Sequence, residues 1–345
     1  MSLNYRELHP AAWQHLLKLR QRLPHALLFT GQPGLGKLDI ALAYAASLLC
    51  EQPRGDGLAC GGCSSCHWLE QGNHPDFRLL QPAALSQDDD GEGGEAPRGD
   101  KKASRQITID QVRGLAEFLN VGTHRQGLRL IVINPAEAMN RATANALLKT
   151  LEEPGPNTLF LLVSGEAARL LPTIRSRCQR VGFVTPTAAL ASRALAAAGV
   201  KEAEMWLALA GGAPKLAQGL AESGRGGWLG ELVRHLAAGG ELDPFAAALS
   251  LEKLVKDPKS GLVLPQLLEW VLKWVVDLNL AVQDLPVRYF SRQQDKIAAL
   301  SRRLPALQVL RFYRSLLEWR RDAEQPLNPR LLLETLFLQY RALYG

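Results

Sequence analysis

The sequence predicts an α/β fold in its first half, with a parallel sheet covered by helices, and an all-helical second half. Three observations lead to this prediction. Short apolar segments alternate with helical ones up to about residue 183, a glycine-rich loop joins the first strand to a helix, and the rest of the chain is rich in Ala and Leu with helical periodicity. Buried strands that alternate with helices are typical of a parallel sheet, because its crossover helices cover both faces.

Length and composition are those of an ordinary globular protein. The 345 residues correspond to two or three domains. With 47% hydrophobic and 21% charged residues, the composition excludes a wholly disordered chain, a collagen-like repeat and a coiled-coil rod. No apolar run approaches the roughly 20 residues that cross a bilayer, and the first residues lack the apolar core of a signal peptide. We therefore expect a cytoplasmic protein that has no membrane partner.

The α/β region begins with a strand, a turn and a helix. Ala26–Thr30 is a short apolar strand, and the apolar helix after the turn ends near Cys50. Phe77–Leu80 is the next predicted strand. Residues 86–105 are strongly acidic and almost without apolar side chains, so burial cannot compensate for the entropy that ordering would cost. We expect a disordered acidic insertion there.

Two more strands and two more helices follow, and a further strand is predicted just after Ser176-Arg177-Cys178. Thr108 and Gln111 have the spacing of a capping box at a helix start, and Pro154 stops the last helix. The predicted helices are 108–120 and 140–153, and the predicted strands are 128–133 and 158–163. The second of these strands is a continuous apolar run, as expected for a strand that is buried on both faces.

The glycine-rich loop stands where a strand passes into a helix. Gly31-Gln-Pro-Gly-Leu-Gly-Lys37 fits the pattern G-x-x-x-x-G-K. Gly31, Gly34 and Gly36 let backbone N–H groups wrap around a phosphate at the helix N-terminus, and Lys37 can reach the outer phosphates of a nucleotide. The pattern and its position together predict a P-loop.

The groups with which a P-loop hydrolyses nucleotide are missing. A Ser or Thr hydroxyl normally follows the lysine and holds Mg²⁺, but here the residue is Leu38. The strand that should end in a magnesium-binding Asp and a neighbouring Glu ends in Asn134 and Pro135. Phosphoryl transfer depends on such charge and positioning, so we expect no hydrolysis. Two interpretations stay open: Lys37 supports ATP or ADP binding without turnover, or the loop is kept for its shape alone.

Four cysteines lie close together in the sequence with the spacing C-x9-C-x2-C-x2-C. They are Cys50, Cys60, Cys63 and Cys66. Four thiolates at this spacing can surround Zn²⁺ as a tetrahedron that leaves no position open for catalysis, so we predict structural Zn²⁺. An iron–sulfur cluster is an alternative, although the ferredoxin pattern continues with x3-C-P and this sequence does not. Four buried reduced thiols are the other alternative.

The C-terminal segment is basic, and its last helix is amphipathic. Arg288–Gly345 contains 11 basic and 5 acidic residues and so carries the whole net charge of +6. This excess fits either a nucleic acid or acidic partner, or ordinary Arg-rich helix faces. The apolar face of the last helix fits either a bundle core or a subunit interface. That face consists of Leu333, Leu336, Phe337, Tyr340 and Tyr344.

Taken together, these motifs resemble the bacterial clamp-loader AAA+ proteins. The shared features are the P-loop, the four-cysteine knuckle just after the P-loop helix, the helix sequence Asn145-Ala-Leu-Leu-Lys-Thr-Leu-Glu-Glu-Pro154, and Ser176-Arg177-Cys178. The motifs cover residues 5–225, and the rest is similar in its helical character. The degenerate nucleotide site is similar to that of the family's non-hydrolysing subunit rather than to that of its tau/gamma motor subunits.

The resemblance implies a role for each site residue. Arg177 corresponds to an arginine finger that reaches into the ATP site of a neighbouring motor subunit, and no residue is catalytic in cis. The four cysteines correspond to the family's zinc ligands. Ser164 matches the first sensor of the active relatives. Lys215 replaces the Arg of the second sensor and loses its bidentate contact, which again argues against turnover in cis.

The resemblance also implies an architecture and a set of partners. We expect a P-loop AAA+ parallel-sheet domain at 1–185 with a zinc module at about 50–66, a small helical lid at 186–226, and an all-α collar at 227–345. The implied complex is a five-subunit ring of tau/gamma, delta and this chain, within the DNA polymerase III holoenzyme. Such a ring loads the sliding clamp onto primed DNA, and this chain would be its non-hydrolysing stator.

Two other classes of function stay open at the level of the sequence. The chain is an active AAA+ motor if its unusual P-loop still hydrolyses ATP, and turnover by the isolated chain would support that. It is a zinc-containing DNA-binding scaffold if Arg177 is dispensable and the basic segment binds DNA by itself in a salt-sensitive way.

Overall fold

The computed structural model describes most of the chain, namely residues 3–86, 104–120, 127–223, 226–257, 260, 262–323 and 328–345. The predicted acidic insertion at 86–105 lies outside these residues except at its two ends. The chain divides into two compact units, Ser2–Pro186 and Thr187–Gly345. The separation of a lid from a collar near residue 226 stays a prediction. No helix within the described ranges is long and apolar enough to cross a membrane.

The N-terminal unit is built on a parallel sheet, as predicted. Its strands are Ala26–Thr30 (β1), Phe77–Leu80 (β2), Arg129–Ile133 (β3), Thr158–Ser164 (β4) and Gln179–Gly182 (β5). They form a five-stranded sheet, counted over the described residues, in the order β2-β3-β4-β1-β5, and every neighbouring pair is parallel. Strands β3 and β4 are buried along their whole length, which agrees with their largely apolar sequences.

Local sequence signals set the helices of this unit. They are Tyr5–Leu8 (α1), Pro10–Leu19 (α2), Lys37–Leu49 (α3), Ser64–Glu70 (α4), Ala83–Ser86 (α5), Ile109–Asn120 (α6), Arg141–Glu152 (α7) and Pro172–Arg177 (α8). Before α6 the predicted capping box forms, since Thr108 N donates to Gln111 Oε1 at 2.8 Å and Gln111 N donates to Thr108 Oγ1 at 3.4 Å. The side chain of Asn140 caps α7 by accepting a hydrogen bond from Thr143 N at 2.9 Å.

The register of the sheet brings three connections to one edge. Thr30 at the end of β1 pairs with Ser164 at the end of β4, and Ile133 at the end of β3 pairs with Leu162. Because the strands are parallel, the P-loop after β1, the segment after β3 and the end of β4 all lie at the carboxyl edge. Ligands of open α/β sheets bind outside this edge, so the fold gathers the predicted nucleotide-site residues there.

The described residues of the C-terminal unit form helices and no strand, as predicted. The helices are Ala188–Ala197 (α9), Ala203–Leu209 (α10), Pro214–Glu222 (α11), Gly226–Ala237 (α12), Pro244–Lys256 (α13), Leu264–Val282 (α14), Gln294–Ser301 (α15), Ala306–Asp322 (α16) and Pro329–Arg341 (α17). Pro is the first residue of α13 and α17 and the second residue of α14, positions at which its missing N–H costs nothing.

The apolar face of α17 belongs to the core of this unit. Its fully buried residues are Leu333, Leu336, Phe337 and Tyr340. The Tyr340 hydroxyl donates to Leu236 O at 2.7 Å and accepts a hydrogen bond from Trp274 Nε1 at 3.0 Å. Of the two interpretations that the sequence allowed, the bundle core is therefore correct for this face.

A buried carboxylate closes the loop that follows α14. Asp277 is completely buried, and its two carboxylate oxygens accept hydrogen bonds from the backbone N–H groups of residues 288–290 at 2.7 to 3.2 Å. Burial raises the pKa of Asp277, and these N–H groups oppose that shift. The side chain thus supplies the acceptors that this irregular loop lacks.

Candidate functional site

The P-loop has the backbone conformation that its glycines predict. Gly31, Gly34 and Gly36 all have positive φ, at 151°, 78° and 79°. A Cβ atom on Gly31 would lie 2.5 Å from the carbonyl oxygen of Phe183, and one on Gly36 would overlap the ring of Tyr5. Glycine is therefore required at both positions, by conformation and by space.

Lys37 is turned toward the loop in which it lies. Its side chain is buried, and Nζ donates to Gly31 O at 2.7 Å and to Gln32 O at 2.6 Å. Burial lowers the pKa of Lys37 to about 8, although the negative charge of Glu137 opposes the shift. The ammonium group therefore stabilises the shape of the loop, and a nucleotide phosphate would compete with these carbonyl oxygens for it.

The N-terminal segment holds the other side of the loop. The buried His9 side chain donates from Nε2 to Leu35 O at 2.9 Å, and burial lowers the pKa of His9. The His9 ring also packs edge-on against Phe183, with ring centroids 5.4 Å apart. With the Tyr5 ring on Gly36, these contacts fix the loop from outside the motif.

Glu137, which sequence reasoning did not single out, connects the segment after β3 to the end of β4. Its Oε1 accepts hydrogen bonds from Gly165 N at 2.8 Å and from Glu166 N at 3.2 Å. Its Oε2 is buried without a hydrogen-bond partner among the described residues. The available signal was an acidic residue just beyond Asn134 and Pro135, at the edge where all three connections meet.

Neutral or apolar residues stand at the positions where the sequence motif predicts metal ligands and a base. Leu38 lies in the first turn of α3, directly after Lys37, and Asn134 and Pro135 directly follow β3. Ser164, the predicted first sensor, is buried at the end of β4, where its Oγ accepts a hydrogen bond from Glu166 N at 3.2 Å. The loop thus has the backbone conformation of a P-loop, and Leu38 stands at the position where the motif normally supplies a magnesium-binding hydroxyl.

Arg177 is the last residue of α8, and two close acceptors hold it, with Ser176 Oγ as a third acceptor 3.5 Å from Nη1. Its Nη2 lies 2.6 Å from Glu152 Oε1, and its Nη1 donates to Thr173 O at 2.9 Å. The next residue, Cys178, is buried in the core, while Ser176 is exposed. The guanidinium group is therefore at the surface and still has a defined orientation.

Lys215, the predicted second-sensor residue, lies in the C-terminal unit. It is exposed in the first turn of α11, directly after the helix starts at Pro214. Its sensor role stays a prediction.

The four cysteines converge, as the spacing predicted. Their Sγ atoms all lie within 4.8 Å of one another. The Cys50–Cys63 and Cys60–Cys66 sulfur pairs are each 3.9 Å apart. A tetrahedral ion with Zn–S bonds of about 2.3 Å requires sulfurs about 3.8 Å apart, so the donor set and the spacing fit one such ion.

The knuckle is fixed to the rest of the unit by buried polar contacts. Ser65 Oγ donates to Leu49 O at 2.6 Å and accepts a hydrogen bond from His74 Nε2 at 2.8 Å. His74 Nδ1 in turn accepts from Asp76 N at 3.0 Å, so the ring carries its proton on Nε2. These contacts tie α4 to the end of α3 and to the start of β2.

A parallel sheet with a P-loop at its carboxyl edge and a cysteine knuckle behind the P-loop helix defines a P-loop protein of the AAA+ clamp-loader class. Two family models match the chain, "DNA polymerase III, delta subunit" over residues 9–187 and its C-terminal domain over residues 232–341. The chain belongs to the delta-prime family of DNA polymerase III subunits.

Individual relatives agree with this family. The delta-prime subunit of Pseudomonas aeruginosa is 33% identical, and the alignment covers 97% of each chain. The delta-prime subunit of Escherichia coli is 39% identical over 47% of this chain and 42% of its own. Among solved structures, a gamma subunit-related DNA polymerase III protein of Thermotoga maritima aligns over 97% of this chain and 100% of its own, at 17% identity and a TM-score of 0.44.

Proposed function

We propose that this protein is the non-hydrolysing stator of a DNA polymerase III clamp loader. In this proposal it assembles in the cytoplasm with tau/gamma and delta subunits as a five-subunit ring that places the sliding clamp on primed DNA. The observation that carries the proposal is a P-loop of intact shape with Leu38, Asn134 and Pro135 at the positions of its ligands and base.

The electrostatics of the site support the absence of hydrolysis in cis. Phosphoryl transfer requires positive charges beside the negative phosphoryl group, and Mg²⁺ and the P-loop lysine supply them. Here the motif's metal ligands are missing. The negative charge of the Glu137 carboxylate also offsets part of the positive charge of Lys37 at the same edge of the sheet. We expect ATP turnover by the isolated chain to equal the uncatalysed background.

The position of Arg177 supports a contribution in trans. A guanidinium group is permanently charged and can donate two hydrogen bonds in one plane to phosphate oxygens. At the end of α8 it is partly exposed, so a neighbouring subunit can reach it. An arginine finger supplied in trans increases the rate of nucleotide hydrolysis by about 10³- to 10⁵-fold in known systems.

The test is DNA- and clamp-stimulated ATP turnover by a loader reconstituted with tau/gamma and delta. We compare the wild type with Arg177→Ala, and we use Arg180→Ala, an exposed arginine on β5, as the matched control. Size-exclusion chromatography checks that each ring assembles. We expect at least about a tenfold loss for Arg177→Ala and none for the control. Equal turnover by both variants would exclude the finger.

The cysteine cluster supports structural zinc as the cofactor. Four Sγ atoms within 4.8 Å of one another provide the donor set of a closed site, and they lie away from the P-loop edge, after α3. When bound, a zinc ion of this kind supplies folding energy to the knuckle and no open position for catalysis.

Two outcomes would favour the other classes of function. ATP turnover by the isolated chain would indicate an active motor. Normal clamp loading by Arg177→Ala, together with tight DNA binding by this chain alone, would indicate a DNA-binding scaffold. An observation that bears on DNA is a set of exposed arginines just after α15 and on α16, for which no ion pair exists among the described residues. They are Arg302, Arg303, Arg311, Arg314, Arg320 and Arg321.

A further inference from the structure

We infer that Glu152 is the positioning residue for Arg177, which it orients toward the nucleotide of the neighbouring subunit. The inference rests on the proposed function, because it concerns the same trans contact. It assigns a role to the first glutamate of the Leu-Glu-Glu-Pro sequence that ends α7, a role that the motif alone does not reveal.

The contact fixes the guanidinium group from two elements at once. Glu152 Oε1 on α7 lies 2.6 Å from Nη2, and Thr173 O on α8 accepts from Nη1 at 2.9 Å. Two acceptors on different nitrogens define the plane of the group, which a single contact cannot do. The Nε atom and the second hydrogen of Nη2 have no hydrogen bond among the described residues, so donors remain for a phosphate.

The two helices that carry this pair are held by the core. Leu147 and Leu151 of α7 and Ile174 of α8 are buried in one hydrophobic cluster, which also includes Cys178 next to Arg177. The distance between Glu152 and Arg177 is therefore set by packed elements and not by a loop. Rigid support of this kind is what a group needs when its position must be correct before its target arrives.

The pair contributes little to the stability of the fold. The Arg177 side chain is 34% exposed and that of Glu152 is 49% exposed, and ion pairs at such sites are weak because water and salt screen them. Substitution of Glu152 should therefore leave folding and assembly intact. An effect on turnover would then report on the orientation of Arg177.

The chain offers a matched control one residue away. Glu153 is also an exposed glutamate at the end of α7, and no ion pair links it to a described residue. Removal of its charge changes the net charge of the surface as removal of the Glu152 charge does. It leaves both contacts of Arg177 in place.

The experiment measures stimulated ATP turnover in the reconstituted loader with Glu152→Ala, Glu152→Gln, Glu153→Gln, Arg177→Ala and the double variant of Glu152→Ala with Arg177→Ala. We expect Glu152→Ala to lower kcat about tenfold with an unchanged KM for ATP, since orientation acts on the transition state. Glu152→Gln keeps an acceptor oxygen and should lose less. Glu153→Gln should match the wild type, and the double variant should match Arg177→Ala, because the glutamate acts through the arginine.

Each other result has a distinct meaning. If Arg177→Ala lowers turnover and Glu152→Ala does not, or if Glu152→Ala raises it, the positioning role is wrong and the stator proposal stands. If the double variant is slower than Arg177→Ala alone, Glu152 acts by another route and the inference is also wrong. If Arg177→Ala itself has normal turnover, the proposed function fails first.

Discussion

Replacement of Cys63 by Ser should remove one ligand from the cysteine cluster and with it the bound metal. The sulfurs of two pairs are 3.9 Å apart, and a zinc tetrahedron needs about 3.8 Å, so the site requires almost no rearrangement to close. With free metal at about 1,000 times its Kd, binding stabilises the folded state by about 4 kcal/mol. For a unit of this size, 1 kcal/mol corresponds to about 2–4 °C, so we expect Tm to fall by about 8–16 °C.

The assay combines metal analysis of the purified chain with thermal unfolding, with and without a strong chelator. We expect about one zinc per wild-type chain and a chelator-sensitive Tm, and we expect neither for Cys63→Ser. Cys178→Ala is the control, because Cys178 is buried outside the cluster and should not change the metal content. Iron in place of zinc would refute zinc as the metal, and an equal zinc content in Cys63→Ser would refute the four-cysteine site.

Three further predictions concern stability and DNA. Asp277→Ala leaves the N–H groups of a partly buried loop without acceptors. It should lower the free energy of unfolding, measured by denaturant titration, by about 2–4 kcal/mol. A loss below about 1 kcal/mol would show that the Asp277 carboxylate does not hold this loop. The pKa of Lys37 is lowered from 10.5 to about 8, so the folded state loses its proton first as pH rises. The wild type should therefore become more stable relative to Lys37→Met between pH 8 and 10.5, measured by denaturant titration at each pH, and a constant difference would refute this. The double variant Arg311→Gln with Arg314→Gln should lower the magnitude of the slope of log K for DNA binding against log[salt] by about 2, measured by fluorescence anisotropy. Arg330 is ion-paired with Glu334, so Arg330→Gln should leave this slope unchanged.

The sequence predicted those features that local patterns determine. The order of strands and helices follows from apolar periodicity, and the capping box at Thr108 and the P-loop glycines follow from requirements within a few residues. The convergence of the cysteines was also predictable, because their short spacing leaves few other arrangements for four thiols.

Contacts between distant segments were not predictable in the same way. Glu137 bonds to Gly165, which is 28 residues further along the chain, and this contact exists only because β3 and β4 are neighbours in the sheet. The pair of Glu152 and Arg177 likewise depends on the packing of α7 against α8. Periodicity identified the apolar face of α17. Only the contacts of Tyr340 with Trp274 and Leu236 reveal that other helices of the C-terminal unit cover this face.

The hydrogen bonds of Lys37 have a consequence for how such motifs persist through evolution. Its ammonium group binds the carbonyl oxygens of Gly31 and Gln32, so the lysine is useful to the loop even when no nucleotide is present. Selection for a correctly shaped loop is then sufficient to preserve this lysine in any P-loop protein, whether or not the protein hydrolyses nucleotide. A signature of this type can outlast the reaction for which it arose, and its presence in a genome is no measure of how many ATPases that genome encodes.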